Sequence, residues 1–145
     1  MSTAFRQPSA GCDRRTALRR GGAALAALAT AGCLGGGSAA PTVEMVEGFV
    51  YAPETVTVAA GTAVTWENVS QVRHTVTADG DRIPDGAAYF ASGGYDSERA
   101  ARNDVGGGLI DPEGTYDHAF EEPGRYEYFC VPHEGSGMVG TVVVE

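Results

Sequence analysis

The sequence contains no lysine, and only one of its three cysteines, Cys130, lies in the part that we expect to fold. A lone cysteine cannot form an intramolecular disulfide, which excludes a small domain held together by disulfides. From Cys33 to the last residue, 18 aspartates and glutamates stand against five arginines. The resulting excess of 13 negative charges argues against a nucleic-acid partner, because phosphates need a basic surface.

Hydrophobic runs long enough to span a bilayer are missing as well. The apolar run at residues 21–31 is too short, and too rich in alanine and glycine, to hold a helix in a membrane. Arg14 and Arg15 precede this run, as they do in a twin-arginine export signal. We therefore interpret residues 1–32 as a signal peptide.

The signal ends in Thr-Ala-Gly-Cys, which is similar to a lipoprotein cleavage site. This pattern predicts that Cys33 becomes the first mature residue and carries a lipid, which would anchor the protein to the outer face of the cell membrane. Residues 33–40 are rich in glycine and would form a flexible linker behind the lipidated cysteine. The alternative is cleavage near Ala31, which would release a soluble secreted protein.

Residues 41–145 have the length of one ordinary domain, and short strands dominate their pattern. β-branched and aromatic residues alternate with polar ones, and Gly- and Pro-containing turns separate the runs, which favours an antiparallel sandwich or barrel. Residues 79–108 differ, since they are rich in Gly and Asp and alternate weakly. We predict a long surface loop there with one short helix, capped by Asp96 or Ser97 and running through Ala101.

Three metal-binding side chains of unlike type lie close together near the C-terminus. Cys130, His133 and Met138 follow a C-x2-H-x4-M spacing at the end of one predicted strand and the start of the next. A thiolate, an imidazole and a thioether together suit copper in both of its oxidation states. Zinc is a poorer match, because a thioether is a weak zinc ligand. The spacing therefore predicts a single copper ion.

A fourth ligand has to come from elsewhere in the domain, and the remaining histidines are His74 and His118. His74 lies on a strand-like run upstream, and we predict that it is the ligand. We interpret His118 as structural, hydrogen-bonded and partly buried between Tyr116 and Phe120 on one strand face.

At this point the domain resembles a known family, the cupredoxins of the plastocyanin type, and among them it is most similar to the halocyanins. Residues 49–58, with Trp66 and Asn68, resemble the N-terminal half of the family. The motif Y-x-Y-F-C-x-P-H-x-x-x-G-M-x-G, which starts at Tyr126, resembles its ligand loop. The resemblance implies a Greek-key antiparallel β-sandwich and one type 1 (blue) copper, held by the residues His74, Cys130, His133 and Met138.

Three residues next to the predicted ligands bear on how the copper would be held. Thr75 stands where the family usually has Asn, whose side chain ties the two ligand-bearing segments together; we expect the Thr hydroxyl to make a shorter version of that bond. Pro132 has no N–H and cannot donate a hydrogen bond to the thiolate. Arg73 replaces a proline that is frequent in plastocyanins. Its charge would raise the reduction potential of the copper, or have a small effect if it is solvated.

The resemblance implies an electron carrier that is not an enzyme, cycling Cu(I)/Cu(II) between membrane redox complexes. A membrane cytochrome complex and a terminal oxidase are the candidate partners, and a monomer is expected. We predict that the electron passes through His133. A small apolar ring is expected around it, formed by Pro132, Gly135, Gly137 and Met138.

Two other functions have to be weighed against electron transfer. One is a copper chaperone or storage module, although such modules are commonly rich in Met or His and this domain has few of either. The other is a metal-free interaction domain, which would leave the Cys130–Met138 segment without a purpose. Binding of Cu(II) with an intense visible colour distinguishes the three functions.

Overall fold

The fold is taken from a computed structural model, which describes residues 40–145. The predicted signal peptide, the lipid site Cys33 and nearly all of the linker lie outside the described residues. Within the described part, no helix has the length and apolar character needed to cross a membrane.

Eight strands form two four-stranded sheets. One sheet has the order β2-β1-β4-β6 and the other the order β3-β8-β7-β5. The strand bounds are β1 Thr42–Val46, β2 Val50–Ala52, β3 Thr55–Val58, β4 Thr62–Asn68, β5 Thr77–Ala78, β6 Thr115–Phe120, β7 Gly124–Phe129 and β8 Val139–Val144. The prediction of an all-β sandwich is confirmed.

Each sheet is mixed, whereas the sequence predicted an antiparallel sandwich. β1 runs parallel to β4, and β3 runs parallel to β8, while the other four pairs are antiparallel. Alternation along a strand identifies its buried face but carries no information on the direction of its neighbour. Strand direction depends on which sheet the chain enters after each turn.

The core lies between the sheets and is rich in aromatic side chains. In β4, Val64, Trp66 and Asn68 alternate as the buried residues, so the period-2 pattern is correct there. The largest fully buried aromatic side chains are Trp66, Tyr51, Tyr126, Tyr128, Phe90 and Phe120. Burial of a large apolar side chain contributes roughly 1.5–3 kcal/mol, so this cluster is a main source of stability.

The loop between β5 and β6 contains two short helices rather than the single one predicted. Helix α1 spans Glu98–Asn103, and Ser97 caps it by accepting a hydrogen bond from the backbone N–H of Ala100. Helix α2, Val105–Gly108, follows directly. Its glycines have poor helix propensity, but a Cβ at Gly108 would lie 2.8 Å from the carbonyl oxygen of Ser92. Close packing against a distant residue therefore requires glycine there, and the local pattern could not reveal this.

Candidate metal centre

The predicted ligands sit at one end of the sandwich, on segments that the two sheets hold side by side. Cys130 follows β7, and Met138 precedes β8, its antiparallel neighbour. His133 lies between them in a 3-10 segment, Val131–Ser136. His74 was expected on a strand-like run; it lies between β4 and β5 and forms an isolated bridge with Ile110.

Three donor atoms converge at this end, all within 4.8 Å of one another. The two Nδ1 atoms of His74 and His133 are 3.2 Å apart. The Sγ atom of Cys130 lies 3.3 Å from the Nδ1 of His133 and 3.9 Å from that of His74. No other such group of His, Cys, Asp or Glu occurs among residues 40–145.

Backbone hydrogen bonds hold the loop that carries three of the predicted ligands. The N–H of Cys130 donates to the carbonyl of Met138 at 3.1 Å, and the N–H of Met138 donates to the carbonyl of His133 at 3.3 Å. The N–H of His133 donates back to Cys130 at 3.1 Å. Gly137 turns the chain with a φ of 81°, which favours glycine. The loop therefore brings Met138, which is fully buried, next to the thiol segment.

Burial also sets the protonation of these groups. It lowers the pKa of His74, with a smaller contribution in the same direction from His133, and it lowers the pKa of His133 itself. Both imidazoles are therefore neutral at pH 7 and have a lone pair for a metal. Burial raises the pKa of the Cys130 thiol, which hydrogen bonds, mainly from the Thr75 N–H, only partly offset.

These residues fit one copper ion. Two imidazole nitrogens and one sulfur lie close enough for a single ion to contact all three, and a buried thioether residue adjoins them. Soft sulfur combined with imidazole is the donor set of type 1 copper sites. His74, Cys130 and His133 would hold the ion, and Met138 would be the weaker fourth donor.

Thr75 links the two segments that carry the ligands. Its N–H donates to the Sγ of Cys130 at 3.3 Å, and its hydroxyl accepts a hydrogen bond from the N–H of Val131 at 2.9 Å. The hydroxyl thus makes the short tie expected where the family has Asn. Pro132 lies at the start of the 3-10 segment and is exposed. Arg73 pairs with Asp111 at 2.7 Å in solvent, 63% exposed, so its charge is largely screened.

The sequence did not indicate the polar residues behind His74. The Nε2 of His74 lies 2.8 Å from the hydroxyl of Ser70, and both side chains are buried. Ser70 in turn bonds to Oδ1 of Asn68 at 2.8 Å, and Asn68 donates to the carbonyls of Val72 and Ile110. A serine four residues before a histidine is the only local signal in the sequence, and it is weak alone.

A second unforeseen residue is Phe49, which stacks on the ring of His133. Their ring centroids are 4.1 Å apart at an interplanar angle of 21°. The stacked ring of Phe49 covers part of the imidazole face. Phe49 itself has a φ of 61° and is 36% exposed. Of the predicted apolar ring, Pro132, Gly135 and Gly137 are exposed. Met138 is fully buried and is not part of that surface.

His118 packs against aromatic residues of the core and not against this group of donors. Its ring stacks on Phe90 at 4.9 Å and packs edge-on against Phe120 at 4.8 Å. It is partly buried, as expected, and burial lowers its pKa. The hydrogen bond that we predicted for it is not among those of the described residues, where aromatic packing holds the ring instead.

Comparison with known proteins identifies the class to which this site belongs. Residues 39–145 match the family of copper binding proteins described as plastocyanin/azurin. The chain is 36% identical over 97 residues to a chloroplastic plastocyanin of Tetradesmus obliquus, covering 67% of this chain and 59% of that protein. It is also 36% identical over 97 residues to a plastocyanin of Scenedesmus fuscus, covering 67% of this chain and 88% of that one.

Solved structures place it in the same class. The oxidised plastocyanin of Dryopteris crassirhizoma is 28% identical, covers 72% of this chain and 99% of its own, and gives a TM-score of 0.52. An oxidised amicyanin mutant is 25% identical, covers 77% of this chain and 87% of its own, and gives a TM-score of 0.55.

The chain therefore belongs to the plastocyanin/azurin family of copper-binding proteins. The predictions of a plastocyanin-type cupredoxin and of copper as its metal are confirmed. Family membership also supports an electron carrier rather than an enzyme. The special similarity to halocyanins stays a prediction.

Proposed function

We propose that this protein is a mononuclear type 1 copper carrier that exchanges single electrons with redox partner proteins. The observation that carries the proposal is the convergence of two imidazole nitrogens and one thiol sulfur within 4.8 Å. Copper bound there would supply the Cu(I)/Cu(II) couple.

The protein's own residues keep the donor atoms in place without a metal. Backbone hydrogen bonds close the loop from Cys130 to Met138, and Thr75 joins this loop to the segment of His74. His74, Cys130 and Met138 are at most 1% exposed, so water is kept from three of the four ligands. A site held this firmly has little to rearrange when an electron moves, which favours rapid exchange.

Electrons would enter and leave through His133, the one predicted ligand that is partly exposed. Phe49 stacks on its ring, and Pro132, Gly135 and Gly137 are exposed uncharged residues of the same loop, in which the exposed carboxylate of Glu134 is paired with Arg102. A small surface with little net charge suits the brief encounters of redox proteins. The edge of His133 together with Phe49 would therefore face the partner.

The visible spectrum of the full chain with added Cu(II) tests the copper site. We expect an intense blue band that disappears in Cys130→Ser, since it arises from the thiolate bound to copper. Met138→Leu should shift the band and the reduction potential. Met45→Leu is the matched control, because Met45 is an equally buried methionine outside the ligand group. A folded protein that stays colourless with Cu(II) and binds no copper would be a metal-free interaction domain; tight Cu(I) binding without colour would indicate a chaperone.

The place of action rests on the N-terminal sequence. The twin-arginine pattern at Arg14 and Arg15 and the cysteine at Cys33 support export followed by lipid anchoring at the outer face of the membrane. The partners would then be membrane redox complexes, with a cytochrome complex and a terminal oxidase as candidates. Cys33→Ser should move the protein from the membrane fraction to the medium; an unchanged distribution would favour the soluble secreted form.

A further inference from the structure

Arg102 lies in helix α1, in the long surface loop between β5 and β6. Its side chain reaches the ligand loop, the segment from Cys130 to Met138 that carries three of the predicted ligands. Its Nη1 and Nη2 atoms donate to the two carboxylate oxygens of Glu134 at 2.7 and 3.0 Å. Its Nε atom donates to Glu98 at 2.8 Å. Its guanidinium carbon lies 4.4 Å from the centre of the Phe129 ring. One side chain thus contacts both the helix and the segment that carries the ligands.

The two residues that Arg102 reaches there are direct neighbours of predicted ligands. Phe129 precedes Cys130, and Glu134 follows His133. The 3-10 segment Val131–Ser136, which includes Glu134, contains no buried residue, so packing alone does not hold it. Contacts from outside the segment therefore matter more for its position than they would in a buried loop.

The geometry at Arg102 differs from that of the other arginine pairs among the described residues. Its side chain is 38% exposed, whereas Arg73, Arg82 and Arg125 are 63–66% exposed. The paired N–H groups match a carboxylate in both direction and spacing, a fork that a lysine cannot reproduce. The face of Phe129 adds a cation–π contact that limits where the guanidinium can lie.

We propose that Arg102 is a positioning residue, which braces the ligand loop through Glu134 and Phe129 and so holds His133 in place before metal is bound. Its functional meaning rests on the copper site proposed above, but the brace itself is a property of the metal-free chain. The long surface loop, which carries no predicted ligand, thereby supports the ligand loop from outside.

Amide hydrogen exchange of the metal-free full chain tests the brace. In Arg102→Ala, the amides of Gly137 and Met138 should exchange about three- to fivefold faster. This factor corresponds to the free energy that a partly exposed ion pair contributes. Amides of the β7–β8 ladder should be unchanged. Glu134→Gln should give a similar increase, and the double variant should add little to either single change. Arg102→Lys should recover only part of the protection, since it keeps the charge but loses the fork.

Arg99→Ala is the matched control. Arg99 is an exposed arginine of the same helix, and within residues 40–145 its side chain makes no hydrogen bond or ion pair to the ligand loop. Unchanged loop exchange in Arg102→Ala would overturn the proposal, as would an equal increase in Arg99→Ala. A uniform increase over the whole sandwich would show a general loss of stability and would overturn it too.

The copper-loaded proteins separate this proposal from the proposed function. If the brace matters for the site, Arg102→Ala should broaden the copper–thiolate band and slow electron self-exchange, with Arg99→Ala unaffected. A colourless wild-type protein whose loop amides still exchange faster in Arg102→Ala would contradict the electron-carrier function and support the positioning role of Arg102. A blue wild-type protein whose loop exchange is unchanged in Arg102→Ala would support the electron-carrier function and contradict the positioning role.

Discussion

At His74, the ring nitrogen that points away from the other donors has a partner of its own. Its Nε2 lies 2.8 Å from Ser70, while its Nδ1 faces Cys130 and His133. When Nε2 carries the hydrogen and donates to Ser70, Nδ1 is left with its lone pair directed at the metal position. Ser70 can accept this bond because its own hydrogen is donated to Asn68 or Val72. In this arrangement the buried hydroxyl would favour the tautomer that leaves Nδ1 free to bind a metal.

Removing that hydroxyl should disturb the tautomer. In metal-free Ser70→Ala, we expect a loss of about 1–3 kcal/mol in the free energy of unfolding, because a buried N–H loses its acceptor. Nitrogen NMR of the imidazole should then show a mixture of tautomers at His74. Ser92→Ala is the control, since Ser92 is also buried and bonded to Val76 and Gly108. It should lower stability without altering His74, and an unmixed tautomer in both variants would contradict this role for Ser70.

Cys130 should link metal uptake to pH. Burial raises the pKa of its thiol above the usual 9.0, so the metal-free thiol is protonated at neutral pH. A metal binds the thiolate, and uptake at pH 7 should therefore release one proton. The apparent affinity should rise about tenfold per pH unit between pH 7 and 8, because His74 and His133 are already neutral there. Calorimetry in buffers of different ionisation enthalpy measures the proton, and uptake without proton release would show a thiolate already formed in the metal-free protein.

At the scale of elements, the β7–β8 ladder positions the ligand loop. Tyr128 pairs with Gly140, and Phe129 pairs with Val139, directly before the chain turns into the loop. Tyr128 is 1% exposed and packs edge-on against Trp66, with ring centroids 5.3 Å apart. The aromatic core thereby fixes the strand ends between which the loop closes.

Gly140 is the point where this ladder tolerates no side chain. A Cβ there would collide with the ring and hydroxyl of Tyr128. Gly140→Ala should therefore push the ring out of its place and cost about 1–3 kcal/mol in the free energy of unfolding. Gly135→Ala is the matched control, since nothing lies within 4 Å of its Cβ position, and it should change stability by less than about 0.5 kcal/mol. Urea unfolding measures both, and equal costs would refute the steric explanation.

At the scale of the whole molecule, three partly or fully buried histidines make the metal-free protein sensitive to acid. Burial lowers the pKa of His74, His118 and His133 from 6.5. The unfolded chain therefore binds more protons than the folded chain once the pH falls below about 7. Stability contributed by these neutral rings is present above pH 6.5 and is lost as the pH falls through and below that value.

The free energy of unfolding of the metal-free protein should accordingly decline between pH 7 and pH 5. His118→Phe should make the decline shallower, because the ring at this position packs on Phe90 and Phe120 and would no longer titrate. Urea unfolding at several pH values measures the slope. A flat profile over this range would contradict the pKa shifts of the histidines.

The strand faces and three of the four predicted ligands could be predicted from the sequence. The strand faces follow from alternation, and the three ligands follow from their closeness along the chain. Alternation places the side chains of Val64 and Trp66 on a buried face, and turn residues mark where a strand stops. Cys130, His133 and Met138 lie within nine residues, so the chain itself keeps them near one another. His74 lies 56 residues before Cys130, and placing it beside them needed the resemblance to a family as well as the strand pattern.

What the sequence by itself determined is therefore local: the strand faces, a helix capped by Asp96 or Ser97, and a donor set whose chemistry suits copper. The tertiary structure alone decided the parallel pairing of β1 with β4, the stack of Phe49 on His133 and the pair of Arg102 with Glu134. Arg102 and Glu134 are 32 residues apart, and Phe49 and His133 are 84 apart in the numbering. Neither pair has a sequence period that brings it together, because contacts between distant segments depend on how the two sheets and the long loop pack.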